Sequence, residues 1–403
     1  MNELENVVRA YERASRAGRV TALASVVRVR GSTYRRIGAH MLITEDGEIT
    51  GAISGGCLER DVHRHSIWVM QSGAAKHLMY DSTGDEDDDQ GRFSLGCNGV
   101  VDVLVERLSP DDPVMAFIAG CLKGPHSGVV ATAFAGNPVD PNAPPSRLLW
   151  CPGKEARALG VVDAQLSRVL LEGARSALAS AAASARTFET EAGRVNVCFE
   201  IFGPPPRIAI FGGGNDAVPV VTMIKALGAK VIVVDPRPGY ATRLRFLNAD
   251  QLMVAEAQAA VDLLALDGDC LALVMNHHYP QDLAALGALL PTPIRYLGVL
   301  GPKSRTARLL EDLASRNIFA SEAQLARMYS PVGLDIGAET PEEVALAIAA
   351  EMKAVLAGRL GGPARERNGP LHGRSDPVRD SLQQTNHEDD GGSMVAAGLS
   401  IGS

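Results

Sequence analysis

A chain of 403 residues is long enough for two ordinary domains and an appendage, and 46% hydrophobic with 21% charged residues is the composition of a globular protein. Its formal net charge of −8 excludes a nucleic-acid surface built on a basic stripe, though not a local basic pocket. No apolar run approaches the roughly 18 residues of a membrane span, and six cysteines without a CxxC pair fit a thiol-reduced, cytoplasmic protein.

The first predicted element is an amphipathic surface helix. Leu4, Val7, Val8 and Tyr11 recur at helical spacing in MNELENVVRAYERASRAGR, which lacks the apolar centre of a signal peptide. Residues 20 to 108 then read as a compact α/β unit. VTALASVVRV is a strand, AHMLITEDGEITGAIS a hairpin turned by Asp46-Gly47, residues 58 to 71 a helix, and KHLMYD and VVDVLVERL two more strands. The last two are separated by DSTGDEDDDQGRFSLGCNG, whose acids lack ordered ligand spacing and read as a solvated loop.

Residues 110 to 200 alternate helix and strand, and the alanine-rich ARSALASAAASA suits either a packed helix or a connector. The prolines at 204 to 206 form a stiff linker. From Arg207, RIAIFGGGNDAVPVVTMIKALGAKVIVVD has the strand, glycine turn, helix, strand order of a βαβ unit, and CLALVMNHH, PIRYLGVL and SRTARLLEDLASR continue the alternation. The fold class is therefore α/β. A mixed N-terminal domain bearing glycine-flanked cysteines (1–203) precedes a Rossmann-like doubly wound parallel sheet (207–358), and residues 360–403 form a tail predicted to be disordered.

Three places carry chemistry-bearing side chains in suggestive settings. In the βαβ unit, Gly212, Gly214 and Ala217 match G-x-G-x-x-A: a residue for the turn, one for close approach of a diphosphate, one for tight helix packing. Asp235 closes the next strand, where an acid binds a ribose hydroxyl in dinucleotide sites, so an NAD(P)-binding oxidoreductase is one reading and a ligand-free structural turn another. His277 follows a buried strand at its carboxyl end, where open α/β sheets place ligands. In GAISGGCLERDV, Cys57 follows Ser54, Gly55 and Gly56 at a predicted helix start, where open amides and the helix dipole favour a thiolate. Cys97 lies between glycines in LGCNGV. The remaining cysteines, Cys121, Cys151, Cys198 and Cys270, read as small buried hydrophobes. In RVRGSTYRRIGAHML, Arg35 and Arg36 offer guanidinium forks to an oxyanion. His63 and His65 point apart on a helix and make a poor metal pair, and no Ser-His-Asp set, HExxH or P-loop is present.

GSTYRRIGAHMLI, GAISGGCLERDV, LGCNGVVDVL, LGVLGPKSRTARLL and SPVGLDIGAETPEEVALAIAAEM together resemble the XdhC/CoxI family, over residues 15 to 357. The resemblance implies a maturation factor rather than a catalyst. Such a factor is a homodimeric chaperone that binds the molybdenum cofactor (molybdopterin), aids its sulfuration and inserts it into an apo molybdenum hydroxylase of the xanthine or carbon monoxide dehydrogenase type. A cysteine desulfurase is the implied second partner. By motif, Cys57 of the SGGC turn and Cys97 with Asn98 of the GCNG loop would handle molybdenum or sulfur. Arg35 and Arg36 would meet the pterin's phosphate, and the glycine turn would take that phosphate or a nucleotide. The chain departs from the family pattern at Asn215, where histidine or aspartate is usual, and in MNHHY, which keeps His277.

Overall fold

Two five-stranded antiparallel sheets fill the N-terminal half of the computed structural model, which describes residues 2–82, 99–136, 144–161, 163–191 and 193–366. The first sheet is laid down by α1 (Asn2–Arg16), β1 (Thr21–Gly31), β2 (His40–Thr44), β3 (Ile49–Gly51), α2 (Glu59–Ser72), β4 (Lys76–Asp81) and β5 (Gly99–Leu108), in the order β3-β2-β1-β5-β4. The second is laid down by α3 (Pro113–Lys123), β6 (Gly128–Gly136), β7 (Arg147–Trp150), β8 (Arg157–Leu159), α4 (Ala164–Ala179), β9 (Ser184–Thr190) and β10 (Gly193–Phe202), in the order β8-β7-β6-β10-β9. One plan is thus executed twice: a helix, a three-stranded meander leading away from the centre, a crossing helix, and two strands returning to the centre. Between 110 and 200 the order is helix, three strands, helix, two strands, rather than a simple alternation of helix and strand. The alanine-rich stretch serves both of its readings, since α4 ends at Ala179 and β9 begins at Ser184.

The sheets face each other, with a helix on each outer side. Period-two alternation sends Ala22, Ala24 and Val26 of β1 against Val62 and Val69 of α2, while Leu23 meets Val130, Leu149 and Phe202 of the second sheet. Leu166, Leu170 and Ala174 of α4 cover the opposite outer face. The amphipathic α1 is more than a surface helix: Val7, Val8 and Tyr11 are buried with Met115 and Ile118 of α3 at one edge of the core between the sheets.

Charge is also buried between the sheets. A register shift between Val26 and Arg28 turns two successive side chains inward. Val27 then packs on Phe134 and Cys198, and Arg28 lies over the Phe134 ring while donating to Asp102 (2.9 Å) and to Asn196 of β10 (3.1 Å). His77 Nε2 lies 2.8 Å from the other Asp102 oxygen. Burial pushes the Asp102 carboxyl up, but its bonds to His77 and Arg28 outweigh that and hold it below the usual carboxylate range. Farther along, Arg147 of β7 grips Glu106 of β5 with both terminal nitrogens, Nη1 at 2.7 Å.

Gly203 to Pro206 lead into the third sheet. Its elements are β11 (Arg207–Phe211), α5 (Ala217–Ala226), β12 (Lys230–Val234), β13 (Gln251–Met253), α6 (Ala257–Leu264), β14 (Cys270–Val274), α7 (Tyr279–Leu289), β15 (Tyr296–Val299), α8 (Lys303–Ala314), α9 (Glu322–Ala326), β16 (Met328–Tyr329) and α10 (Pro341–Leu356). All strands run parallel in the order β13-β12-β11-β14-β15-β16, the doubly wound Rossmann arrangement that the glycine turn predicts. α5 and α10 cover one face; α6, α7 and α8 cover the other. The winding reverses between β11 and β14, so the segments after these two strands flank the switch point. Among the described residues no helix is long and apolar enough to cross a membrane.

Candidate functional site

The SGGC turn connects β3 to α2, and its geometry differs from the open helix start expected of it. α2 begins at Glu59, so Cys57 precedes the helix rather than opening it. The amides nearby are occupied. Ser54 Oγ accepts from the N–H groups of Gly56 (3.1 Å) and Leu58 (3.1 Å) and takes the Cys57 thiol at 3.7 Å. Ser54 in turn donates its hydroxyl to Glu59 Oε2, while Glu59 Oε1 accepts from Ser54 N (2.8 Å) and Ile53 N (3.3 Å). Burial raises the Glu59 pKa, but these donors outweigh it and hold the carboxyl below its ordinary range. The N–H groups of a half-buried turn need partners, and here one serine and one glutamate take four of them.

Of the two glycines only Gly56 has a backbone reason: it sits at φ +112°, a conformation that side chains resist. At Gly55 a Cβ would make ordinary contact, 3.6 to 3.7 Å, with three atoms of the Tyr34 ring. Tyr34 therefore lies over the turn while remaining 69% exposed. Cys57 is exposed beside it, and the hollow they border is lined by Thr33, Tyr34, Arg35, Ser54, Cys57 and Gly99. The loop that holds Arg35 and the turn that holds Cys57 do meet.

The two loop arginines diverge. Arg35 places both terminal nitrogens on the Glu3 carboxylate of α1, each at 2.8 Å, and Glu3 Oε1 also accepts from Ala52 N (3.0 Å). The fork expected to be open for a phosphate is thus filled from within, because the buried face of α1 seats Glu3 at the loop. Arg35 Nε is buried and has no hydrogen-bond partner among the described residues. Arg36 is exposed and makes no ion pair with a described residue.

Cys97 and Asn98 lie outside the described residues. Ser82 and Gly99, on either side of that stretch, are joined: Ser82 N and Oγ donate to Gly99 O (3.0 and 2.7 Å), and Gly99 N donates back to Ser82 Oγ (3.1 Å). A Cβ at Gly99 would lie 2.5 Å from Ser32 O and 2.7 Å from Arg30 O, so the last glycine of GCNG is a packing requirement.

At the parallel sheet, Gly212 has φ +122° and a Cβ there would lie 2.5 Å from the Met275 carbonyl, so the turn packs directly on the chain leaving β14. Gly214 faces His277, and Ala217 is fully buried at the start of α5. Asp235 is fully buried as well. It accepts from Gly213 N (2.8 Å), Arg237 N (2.9 Å) and two side-chain nitrogens of Arg237 (2.9 and 2.8 Å). Burial raises its pKa, yet the Arg237 bond and the two backbone donors hold it below the ordinary range. The acid expected to meet a ribose is therefore engaged by its own loop, with the Arg237 guanidinium 3.4 Å from the centre of the Tyr240 ring. Arg245 extends the same lattice, donating to the Gly213 carbonyl and to Asn215 Oδ1 (2.8 Å). His277 sits at φ +56° with Nε2 3.0 Å from Asp216 Oδ2. A non-glycine residue in the left-handed region at a switch point marks a conformation imposed by its surroundings.

Sequence reasoning did not find Glu3, Glu59, Tyr34, Asp216 or Arg237. Only Glu59 and Arg237 left a local signal, an acid and a base a few residues from Ser54 and Asp235. The other three act across a loop or from another element.

Comparison with known proteins agrees with both halves of the architecture. A family model described as "XdhC Rossmann domain" matches residues 208–352, and one described as "XdhC and CoxI family" matches residues 14–81. The chain is similar to a probable xanthine dehydrogenase subunit of Bacillus subtilis (strain 168), 31% identical over 82% of this chain and 91% of that one. It is similar to the "molybdenum cofactor insertion chaperone PaoD" of Escherichia coli (strain K12), 22% identical over 87% of each. Among solved structures, a crystal structure described as a xanthine dehydrogenase from Bacillus halodurans superposes with a TM-score of 0.69 at 26% identity, covering 91% of this chain and 99% of that one. On these matches, the chain belongs to the XdhC and CoxI family.

Proposed function

We propose that this chain is an accessory chaperone that binds the molybdenum cofactor, assists its sulfuration and aids its insertion into a xanthine dehydrogenase or carbon monoxide dehydrogenase type hydroxylase. The observation that carries the reading is the hollow at Cys57, where an exposed thiol, an exposed tyrosine ring and an arginine whose buried Nε–H has no partner among the described residues converge. This donor set fits the group: a thiolate is a soft ligand for molybdenum or sulfur, and a guanidinium suits a phosphate. When bound, the cofactor would supply a molybdenum centre able to accept a sulfido ligand. Cys57 and Cys97 are the proposed thiols and Asn98 the proposed neighbouring polar contact, with Arg35 and Arg36 toward the phosphate. Ser54, Gly55 and Gly56 shape the turn. The relatives' names, one a cofactor insertion chaperone and the other part of a dehydrogenase, support the same reading.

In this reading the working division is an N-terminal domain of 1–203 and a C-terminal domain of 207–358. The partners are an apo molybdenum hydroxylase, a cysteine desulfurase and a second copy of the chain, and the setting is the cytoplasm. Gly212, Gly214, Ala217, Asp235 and His277 form the frame of the second site. Its use by NAD(P) is supported by the strand order alone, since Asp235 is spent on Arg237 and Gly213. The test is purification from cells that make the cofactor, followed by assay of bound pterin and molybdenum and of client hydroxylase activity. The chaperone reading expects bound pterin, and loss of client activation in Cys57→Ser with Cys97→Ser. Protein free of pterin with an unaffected client overturns it. Saturable quenching by NADH or NADPH, with no pterin, would favour an oxidoreductase instead.

A further inference from the structure

Cys121 and Cys151 are thirty positions apart in sequence and read there as two unrelated core residues. In the fold they are neighbours. Cys121 is on the buried face of α3 and Cys151 follows directly on β7, and both belong to the core shared by α1, α3 and the two sheets. Opposite them lies Gly128, the first residue of β6. A Cβ there would lie 2.6 Å from Phe117 Cζ, 2.7 Å from Cys151 Sγ and 2.8 Å from Cys121 Sγ, so both sulfurs crowd the space that the glycine's missing side chain leaves. Burial first, and then the neighbouring Cys151 sulfur, push the Cys121 thiol's pKa up to about 12. Cys121 is buried, whereas Cys151 is only half-buried. The pair is therefore asymmetric, with Cys151 the more accessible residue and Cys121 the one held protonated behind it.

We propose that Cys121 and Cys151 are a modification site: they close to a disulfide by exchange with a small-molecule disulfide of the glutathione disulfide class. The Cys151 thiol loses its proton to water, and the thiolate attacks one sulfur of glutathione disulfide. The first glutathione leaves as thiolate, and a mixed disulfide remains on Cys151. Cys121 then attacks the Cys151 sulfur, its proton passing to the second glutathione, which leaves as the thiol. Two protein thiols are oxidised by two electrons, and one glutathione disulfide is reduced to two glutathiones. The bond would tie α3 to the end of β7 within the core that seats α1. The site stands apart from the Cys57 hollow and does not depend on the proposed function.

The test uses the full-length chain carrying Cys57→Ser and Cys97→Ser, which removes the two loop thiols as competitors. It is incubated with glutathione disulfide, blocked with N-ethylmaleimide, digested without reductant and analysed by mass spectrometry. The expected product is a peptide pair joined through Cys121 and Cys151, lighter by two hydrogens and separated by dithiothreitol. Adding Cys121→Ser should leave Cys151 trapped as its glutathione adduct. Adding Cys151→Ser should leave Cys121 unmodified. Gly128→Ala, whose methyl would press on both sulfurs and on the Phe117 ring, should slow cross-linking at least about tenfold, read on protein whose circular dichroism matches that of the parent. Stable glutathionylation of Cys151 without the cross-link in the parent chain would overturn the proposal. So would failure of Cys151 to react when an unfolded control is fully modified.

Discussion

Glu3 of the first helix and Arg35 of the loop beside Cys57 hold each other through two parallel hydrogen bonds of 2.8 Å. The pair is partly exposed, its side chains retaining 40% and 32% of their accessibility, so solvent screens it and its contribution to stability is at most about 1 kcal/mol. Its importance is positional: an anion approaching Arg35 must displace a carboxylate already in place. Glu3→Gln is expected to lower stability by no more than about 1 kcal/mol in chemical denaturation. It is also expected to tighten binding of pyrophosphate, measured by calorimetry, and Arg35→Ala should abolish that gain. Equal binding by wild type and Glu3→Gln would show that Arg35 is a strut.

The turn at Cys57 should be sensitive to its serine. Ser54→Ala leaves the N–H groups of Gly56 and Leu58 without an acceptor and deprives Glu59 of its hydroxyl donor, a loss on the order of 1–3 kcal/mol. Urea denaturation would measure it, and a change below about 0.5 kcal/mol would mean that water replaces the hydroxyl.

A pH dependence follows from Glu59. Its folded pKa is depressed below the ordinary 4.5, so its charged form contributes stability that is present above that value and lost as pH falls through the folded one. The stability advantage of wild type over Glu59→Gln should be constant from pH 7 to about 5 and shrink as the solution is acidified below the ordinary glutamate range. An advantage that grew on acidification would reverse the assignment.

Two substitutions separate strain from packing in the parallel sheet. Gly212→Ala puts a methyl 2.5 Å from the Met275 carbonyl in a backbone conformation suited to glycine, and should cost at least about 2 kcal/mol in thermal unfolding. At His277 the order reverses. At φ +56° glycine carries no steric penalty, so His277→Gly should be more stable than His277→Ala by about 1 kcal/mol. If alanine were the more stable of the two, that residue would not hold this conformation in solution.

What the sequence disclosed depended on how far apart the cooperating residues lie. The glycine turn, Asp235 and the strands around them are spelled within one βαβ unit, so the Rossmann sheet and its winding were legible. The hairpin at Asp46-Gly47 was equally local, with Gly47 at φ +86° and its N–H on Thr44 O. Arg35 and Glu3 are thirty-two positions apart, Arg28 and Asp102 seventy-four, and Arg147 and Glu106 forty-one. No periodicity encodes such pairs, and an arginine in a loop or an acid in VVDVLVERL looks the same whether or not its partner exists. Even the local reading of Cys57 misjudged its amides, because nothing in SGGCLE distinguishes a serine that faces solvent from one that turns back on the chain.

The repeated helix–meander–helix–hairpin plan of the first half has a consequence for how labour is divided. In the first copy the connection from β3 to α2 occupies 52–58 and that from β4 to β5 occupies 82–98; in the second the matching connections are 160–163 and 191–192. The second copy thus keeps the strands and gives up the loops, and its α4 starts on an ordinary aspartate cap, Asp163 accepting from Gln165 N and Leu166 N at 3.0 Å each. It acts as a counterweight: a sheet with the first copy's strand plan, against which β1 and β5 can bury both a hydrophobic stripe and the Arg28 and Glu106 charges. Those charges also fix the stacking, since sliding by one strand spacing of about 4.8 Å would part Arg147 from Glu106. The first copy thus carries the long loops around Cys57 while the second supplies the frame behind them.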